Sequence, residues 1–333
     1  MRFVFCYLLC FCAVIKVAGQ KTEYFEFSLP SKNISYCVFD NVEFVDSRLN
    51  QEYIGSKQKG GANKLVPVWL HGSLSNEIKT LIDSANKDVL REPHTVLINF
   101  RSFFISEYTG RFEFHAECYA KWDDGYWLVY HVDSSFKASG AGINKKVNEV
   151  VGDFINTIVH LDLSKSRRSK AVSFDYIRNI DVNEKKAIPV FNIRNPVRGL
   201  YYTYDEFKNN RPRVDVFNMV KGRNELKSVF RLPVGNKLAK KIPRDSLYAV
   251  SDGEETWLAT PHEYARLNKR GLDFFFQATA YENNKIEEIS LSFLFFSFPG
   301  AIIAAIPRRA LFEFRLNHLN GKYILSRRAP DRN

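Results

Sequence analysis

Residues 289–306, ISLSFLFFSFPGAIIAAI, are eighteen in a row without a formal charge, and how they are read decides the architecture. A helix that crosses a bilayer needs about 20 apolar residues, so this run sits at the lower limit. Pro299-Gly300 lies in its middle, where proline removes a backbone donor and glycine loosens a helix. Ahead of that pair, Ile289, Leu291, Phe293 and Phe295 alternate with Ser290, Ser292 and Leu294, the period of a strand. We read the run as a buried strand, turn and short apolar segment. The alternative is membrane contact through Leu291, Phe293, Phe295, Phe296, Ile302 and Ile303. Its flanks, Glu287-Glu288 and Arg308-Arg309, would place the C-terminal side in the cytoplasm if the run crossed once.

At the other end of the chain, residues 1–19 read as a secretory signal peptide. Arg2 gives the positive start, Phe3–Ile15 the apolar stretch, and Val17-Ala18-Gly19 the small residues for cleavage before Gln20. The expected location is therefore extracytoplasmic: periplasm or cell envelope, with membrane association as the alternative. Removing the leader takes away Cys6, Cys10 and Cys12 and leaves Cys37 and Cys118, a pair that an oxidising compartment allows to bond.

The formal charge is +11, with basic residues scattered rather than set among stacking aromatics, so nucleic acid is not an expected partner. Length suggests two units, 20–164 and 171–333, with the polar run Ser164–Lys170 as the seam. The expected fold class is α+β, two helix-on-sheet domains built largely on antiparallel hairpins.

In the first unit, Ile78, Leu81, Ile82, Ala85 and Val89 predict a helix from Ser73 or Ser75 to about Leu90. A second helix is predicted from Asn144 to Leu161 by Val147, Val150, Val151, Phe154, Ile155 and Ile158, preceded by a Gly140–Gly142 loop. Between them, Asp123-Asp124-Gly125 turns a hairpin. A three-residue loop sets Ala120 against Leu128, Cys118 against Tyr130, Ala116 against Val132 and Phe112 against Phe136. The other face then carries Glu113, His115, Glu117, His131 and Asp133. His115, Glu117, His131 and Asp133 are candidate ligands for a divalent metal, and no other cofactor is expected. The plainer alternative is a solvated face of opposite-charge pairs.

In the second unit, Thr203 and Glu206 predict a capping box, Leu247–Leu258 a hairpin turned at Asp252-Gly253, and Tyr264–Lys269 one or two helical turns closed by Gly271. Leu272–Tyr281 reads as an aromatic strand, and Ala310–Leu316 with Lys322–Ser326 as a last hairpin. Tyr202, Tyr204 and Trp257 are candidates for lining a carbohydrate or peptide groove, with packing as the plainer account. No GxSxG, HExxH, Walker loop or dinucleotide fingerprint is present.

Residues 198–212 (RGLYYTYDEFKNNRP), 248–258 (YAVSDGEETWL), 264–276 (YARLNKRGLDFFF) and 310–322 (ALFEFRLNHLNGK) resemble uncharacterised exported envelope proteins of Bacteroidota over roughly 198–333. The leader ending in Gly-Gln-Lys fits that origin. Phe-rich text stands where that family has a Gly/Ala-rich segment, and the resemblance supplies no catalytic residue. The order of the first unit is also similar to small periplasmic accessory domains of envelope transporters. The expectation is a non-enzymatic envelope binding or assembly component, working with an envelope or membrane partner. The alternatives are a metal-dependent or carboxylate-based envelope hydrolase, and a membrane-attached accessory subunit.

Overall fold

The structure, a computed structural model, describes residues 23–28, 36–59, 64–86, 89–107, 110–138, 140–163, 170–213, 216–223, 225–232, 238–282 and 308–328. It is a mixed fold dominated by sheets whose pairings are mostly antiparallel. Residues 289–306, with the membrane-contact candidates, lie outside the described residues, as do the leader and nearly all of the Ser164–Lys170 seam. Among the described residues no helix is long and apolar enough to cross a membrane.

The first half supplies β1 (Glu23–Tyr24), β2 (Tyr36–Cys37), β3 (Asn41–Asp46), β4 (Gly55–Lys59), β5 (Lys64–Trp69), α1 (Leu74–Ala85), β6 (Leu90–Arg91), β7 (Thr95–Ser106), β8 (Arg111–Trp122), β9 (Gly125–Lys137) and α2 (Gly140–Val159). Seven of these strands form one sheet, in the order β1-β5-β4-β7-β8-β9 with β3 parallel to β7. Its long β7-β8-β9 meander is antiparallel, because short turns join the strands. Both helices lay their apolar stripe on the same sheet face. Ile78 and Ile82 from α1 share one core with Val147, Phe154 and Ile158 from α2 and with Phe112, Phe114 and Cys118 from β8. Each such side chain, once fully buried, stabilises the fold by about 1.5–3 kcal/mol.

Helix α1 begins as predicted, with the Ser73 hydroxyl accepting from Asn76 N. It stops at Ala85 rather than near Leu90, because Asn86 turns both its backbone and its side-chain N–H onto Ile82 O. Helix α2 starts at Gly140, so the Gly140–Gly142 stretch is helix and not a loop. The β8/β9 register is as read for Phe112↔Phe136, Ala116↔Val132 and Cys118↔Tyr130. Nearer the turn it differs: Ala120 pairs with Trp127, since a bulge between Cys118 and Tyr119 shortens the connection to Asp123-Asp124.

The second half adds α3 (Phe174–Arg178), α4 (Ile180–Ala187), α5 (Pro189–Asn192), β10 (Gly199–Tyr201), α6 (Tyr204–Lys208), β11 (Phe217–Lys221), β12 (Leu226–Arg231), β13 (Lys240–Lys241), β14 (Ala249–Ser251), β15 (Thr256–Ala259), β16 (Tyr264–Arg266), β17 (Asn268–Arg270), β18 (Asp273–Glu282), β19 (Arg308–Leu316) and β20 (Tyr323–Arg328). One sheet runs β10-β14-β15-β16-β12-β11, with β13 on β12, and another runs β17-β18-β19-β20. The Thr203–Glu206 capping box is present on α6. The stretch Tyr264–Lys269 is not helical. It supplies β16 and most of β17, and Gly271 (φ 60°) turns the chain into β18. Ala265 and Leu267 are buried in the core that also holds Phe274 and Phe314, and Tyr264 is buried in the core around Leu226 and Trp257, which outweighs the weak local helical pattern.

Strands β18 and β19 pair as far as Glu282↔Arg308.

Candidate functional site: a charged junction between the halves

Strand β7 is a run of β-branched and aromatic residues broken by Arg101. The strand bulges between Phe100 and Ser102, so Arg101 has no partner in the ladder to β8. A bulge re-aims the extra residue. Here it sends the guanidinium off the face opposite the helices, where it is 1% exposed. There it meets Glu117 of β8 at 3.3 Å and Glu184 of α4 at 2.9 Å, with a second, bidentate contact to Glu184. Glu117 also accepts from Tyr119 Oη at 2.9 Å and from Asn99 at 3.3 Å.

Helix α4 brings the rest. Asp181, Glu184 and Lys185 are spaced i, i+3, i+4 and so share a face. Glu184 contacts His318 Nε2 at 2.7 Å, and Asp181 Oδ1 lies 3.2 Å from His318 Nδ1. That Nδ1 is buried and its geometry toward Asp181 makes no hydrogen bond. Lys185 pairs with Asp181 and, at 2.8 Å, with Asp273 of β18, while Arg315 of β19 reaches Asp273 at 3.0 Å. Three permanent cations thus face four carboxylates, with one imidazole between them. A separate bridge, Lys322 to Glu113, also joins the halves, and the buried Ile177 of α3 packs with Leu97, Tyr119 and Tyr126 on the same sheet face.

Burial alone would raise the Glu184 carboxyl, but hydrogen bonds from His318 and Arg101 outweigh it and hold it at about 2. Being ionised it only accepts, so His318 Nε2 carries the hydrogen. For Arg101 burial works against the charge, and the Glu184 hydrogen bond more than restores it. Burial pushes His115 down, with Arg101 adding to the effect and Glu117 opposing it.

The four candidate metal ligands share the predicted register, His115 opposite Asp133 and Glu117 opposite His131. They do not converge. Glu117 is turned into the Arg101 cluster, His115 Nε2 stays 3.9 Å from it, and His131 and Asp133 face outward and exposed. Among the described residues no group of three or more His, Cys, Asp or Glu is placed to hold a metal.

The candidate groove residues part company too. Tyr204 gives its hydroxyl to His318 O at 2.5 Å and packs with the cluster around Phe207 and Phe274, whereas Trp257 is buried in the other second-half core. Tyr202 lies beside that second core, with Arg231 on its hydroxyl at 2.8 Å and Arg213 over its ring. Cys37 and Cys118 are both free and buried. Cys37 donates to Phe39 O at 3.2 Å, and burial raises both thiols. The disulfide fails because Cys118 sits mid-sheet beneath α2, whereas Cys37 belongs to a separate two-stranded sheet with β6.

No protein-family profile matches the chain, and no curated protein does. Solved structures with partial similarity include a Xanthomonas campestris protein of family DUF330, at 10% identity and a TM-score of 0.28, covering 40% of this chain and 92% of that one. Another, described as an uncharacterized protein, is 9% identical with a TM-score of 0.31, covering 42% of this chain and 97% of its own.

Proposed function

We propose that the chain is an exported cell-envelope protein of two α+β units, 20–164 and 171–333, acting as a non-enzymatic binding or assembly component. The observation that carries this reading is the Arg101–Glu184–His318 junction. The side chains best suited to acid–base work are spent on one another there. Arg101, Lys185 and His318 are 1%, 3% and 2% exposed, so a substrate has no approach to them. A cluster of this kind fixes how two units sit, which suits a scaffold that presents surfaces to a partner.

The test is elemental analysis of the purified chain alongside His115→Ala and His131→Ala in a cell-based assay of envelope integrity. The reading expects no stoichiometric metal and near-normal function in both variants. Stoichiometric zinc lost in both variants, together with loss of function, would favour the envelope hydrolase instead.

A second reading, a membrane-attached accessory subunit, is favoured by one observation. The described strand ends on either side of this apolar stretch, Glu282 of β18 and Arg308 of β19, are paired, and contact of the stretch with one bilayer face leaves that pairing intact.

A further inference from the structure

A lysine amine taken partly out of water without a counter-charge loses some of the advantage of its ammonium form, and the neutral amine is the nucleophile. Among the described residues, the lysines that are not fully exposed are Lys57, Lys185, Lys208 and Lys269. The first three face carboxylates: Lys57 lies 3.6 Å from Glu23, Lys185 2.8 Å from Asp273 and Lys208 3.0 Å from Asp205. Lys269 of β17 faces a backbone oxygen and a ring instead. Its Nζ donates to Ile193 O, just beyond α5, at 2.5 Å. It also lies 5.8 Å from the centre of the Phe274 ring, its partner across the ladder on β18.

The charged residues next to these groups are engaged elsewhere or share its sign. Arg270 holds Glu313 at 2.7 Å, and Asp273 is held by Lys185 and Arg315. Arg194, which follows Ile193, is another cation. Burial pushes the Lys269 amine down from the ordinary lysine value, and no carboxylate opposes it.

From this placement we infer that Lys269 is a site of covalent modification by aldehydes, taking a small carbonyl compound as an imine. The amine lone pair attacks the aldehyde carbon, the C–N bond forms, and the carbonyl oxygen takes up a proton. The carbinolamine then loses that oxygen as water, with the second proton coming from nitrogen, so nothing is oxidised or reduced. One N–H bonded to Ile193 O steadies the nitrogen and leaves its lone pair for the attack. The site depends on groups of the second half alone and goes beyond the binding or assembly role proposed above.

The experiment is labelling of the folded chain with limiting formaldehyde and cyanoborohydride, whose hydride traps each imine as an amine, followed by peptide mass spectrometry at a series of pH values. At pH 7 Lys269 is expected to react at least about threefold faster than the exposed Lys186 and Lys241. A depressed amine is already partly neutral where exposed lysines are still charged, so the ratio should fall toward one as pH rises past about 10.4. In urea, where burial is lost, the three should react alike. Lys269→Arg should remove the fast phase from labelling of the whole chain. A Lys269 rate at or below that of the exposed lysines at pH 7 overturns the inference. So does a higher rate whose ratio ignores pH, which would be access alone, or one that persists in urea, which would be local sequence.

Discussion

Replacing Glu184 by glutamine keeps the shape of the side chain and removes its charge, so it isolates what the junction contributes. The carboxyl is held at about 2 against an ordinary value near 4.5. That difference corresponds to about 3 kcal/mol at neutral pH, an order-of-magnitude figure that the 28% exposure of the side chain reduces rather than increases. The sign follows from the depressed value. The contribution is complete above pH 4.5, about half remains near pH 3, and it disappears as pH falls through 2. Urea unfolding of wild type and Glu184→Gln at pH 7, 5, 3 and 2 should therefore show a gap of about 3 kcal/mol that closes from pH 4.5 downward. A gap below about 0.5 kcal/mol at pH 7, or one that ignores pH, would refute the assignment of Glu184 as an ionised clamp between Arg101 and His318.

Arg101→Met leaves Glu117 and Glu184 facing each other without their cation, and urea unfolding should show a loss of about 3–5 kcal/mol, part of which Glu184→Leu restores in the double variant. Gly321 takes φ 70°, and a Cβ there would run into the Tyr204 ring, so Gly321→Ala should lower stability by about 1–3 kcal/mol in a thermal melt. In a chain beginning at Gln20, a thiol reagent should find no reactive cysteine under native conditions and two in urea without reductant, because Cys37 and Cys118 are buried and unbonded.

What the sequence made legible was local. The stripes of α1 and α2, the Ser73 cap, the Thr203–Glu206 box and most of the β8/β9 register follow from spacing alone, since each depends on residues a few positions apart. The misreadings have physical causes as particular as the successes. One bulge beside Tyr119 moved Ala120 onto Trp127, and burial of Tyr264, Ala265 and Leu267 in two second-half cores made strands of Tyr264–Lys269. The junction was not legible because its members lie far apart: Arg101 and Glu184 are separated by 83 residues, Glu184 and His318 by 134. Two signals were there to be used. A lone arginine in the apolar run TVLINFRSFFIS is costly to bury unless paired, and Asp181, Glu184 and Lys185 share one face of a short helix. Neither signal names its partner, which only the tertiary fold supplies.

The account's central claim, an exported envelope component, is tested most directly by fractionating cells that make the native protein and washing the membranes with alkaline carbonate. It predicts recovery from the envelope or periplasmic fraction, beginning at Gln20, with release by the wash. Retention after the wash would shift the reading to the membrane-attached subunit. Recovery from the cytoplasm with Met1–Gly19 still in place would contradict it outright.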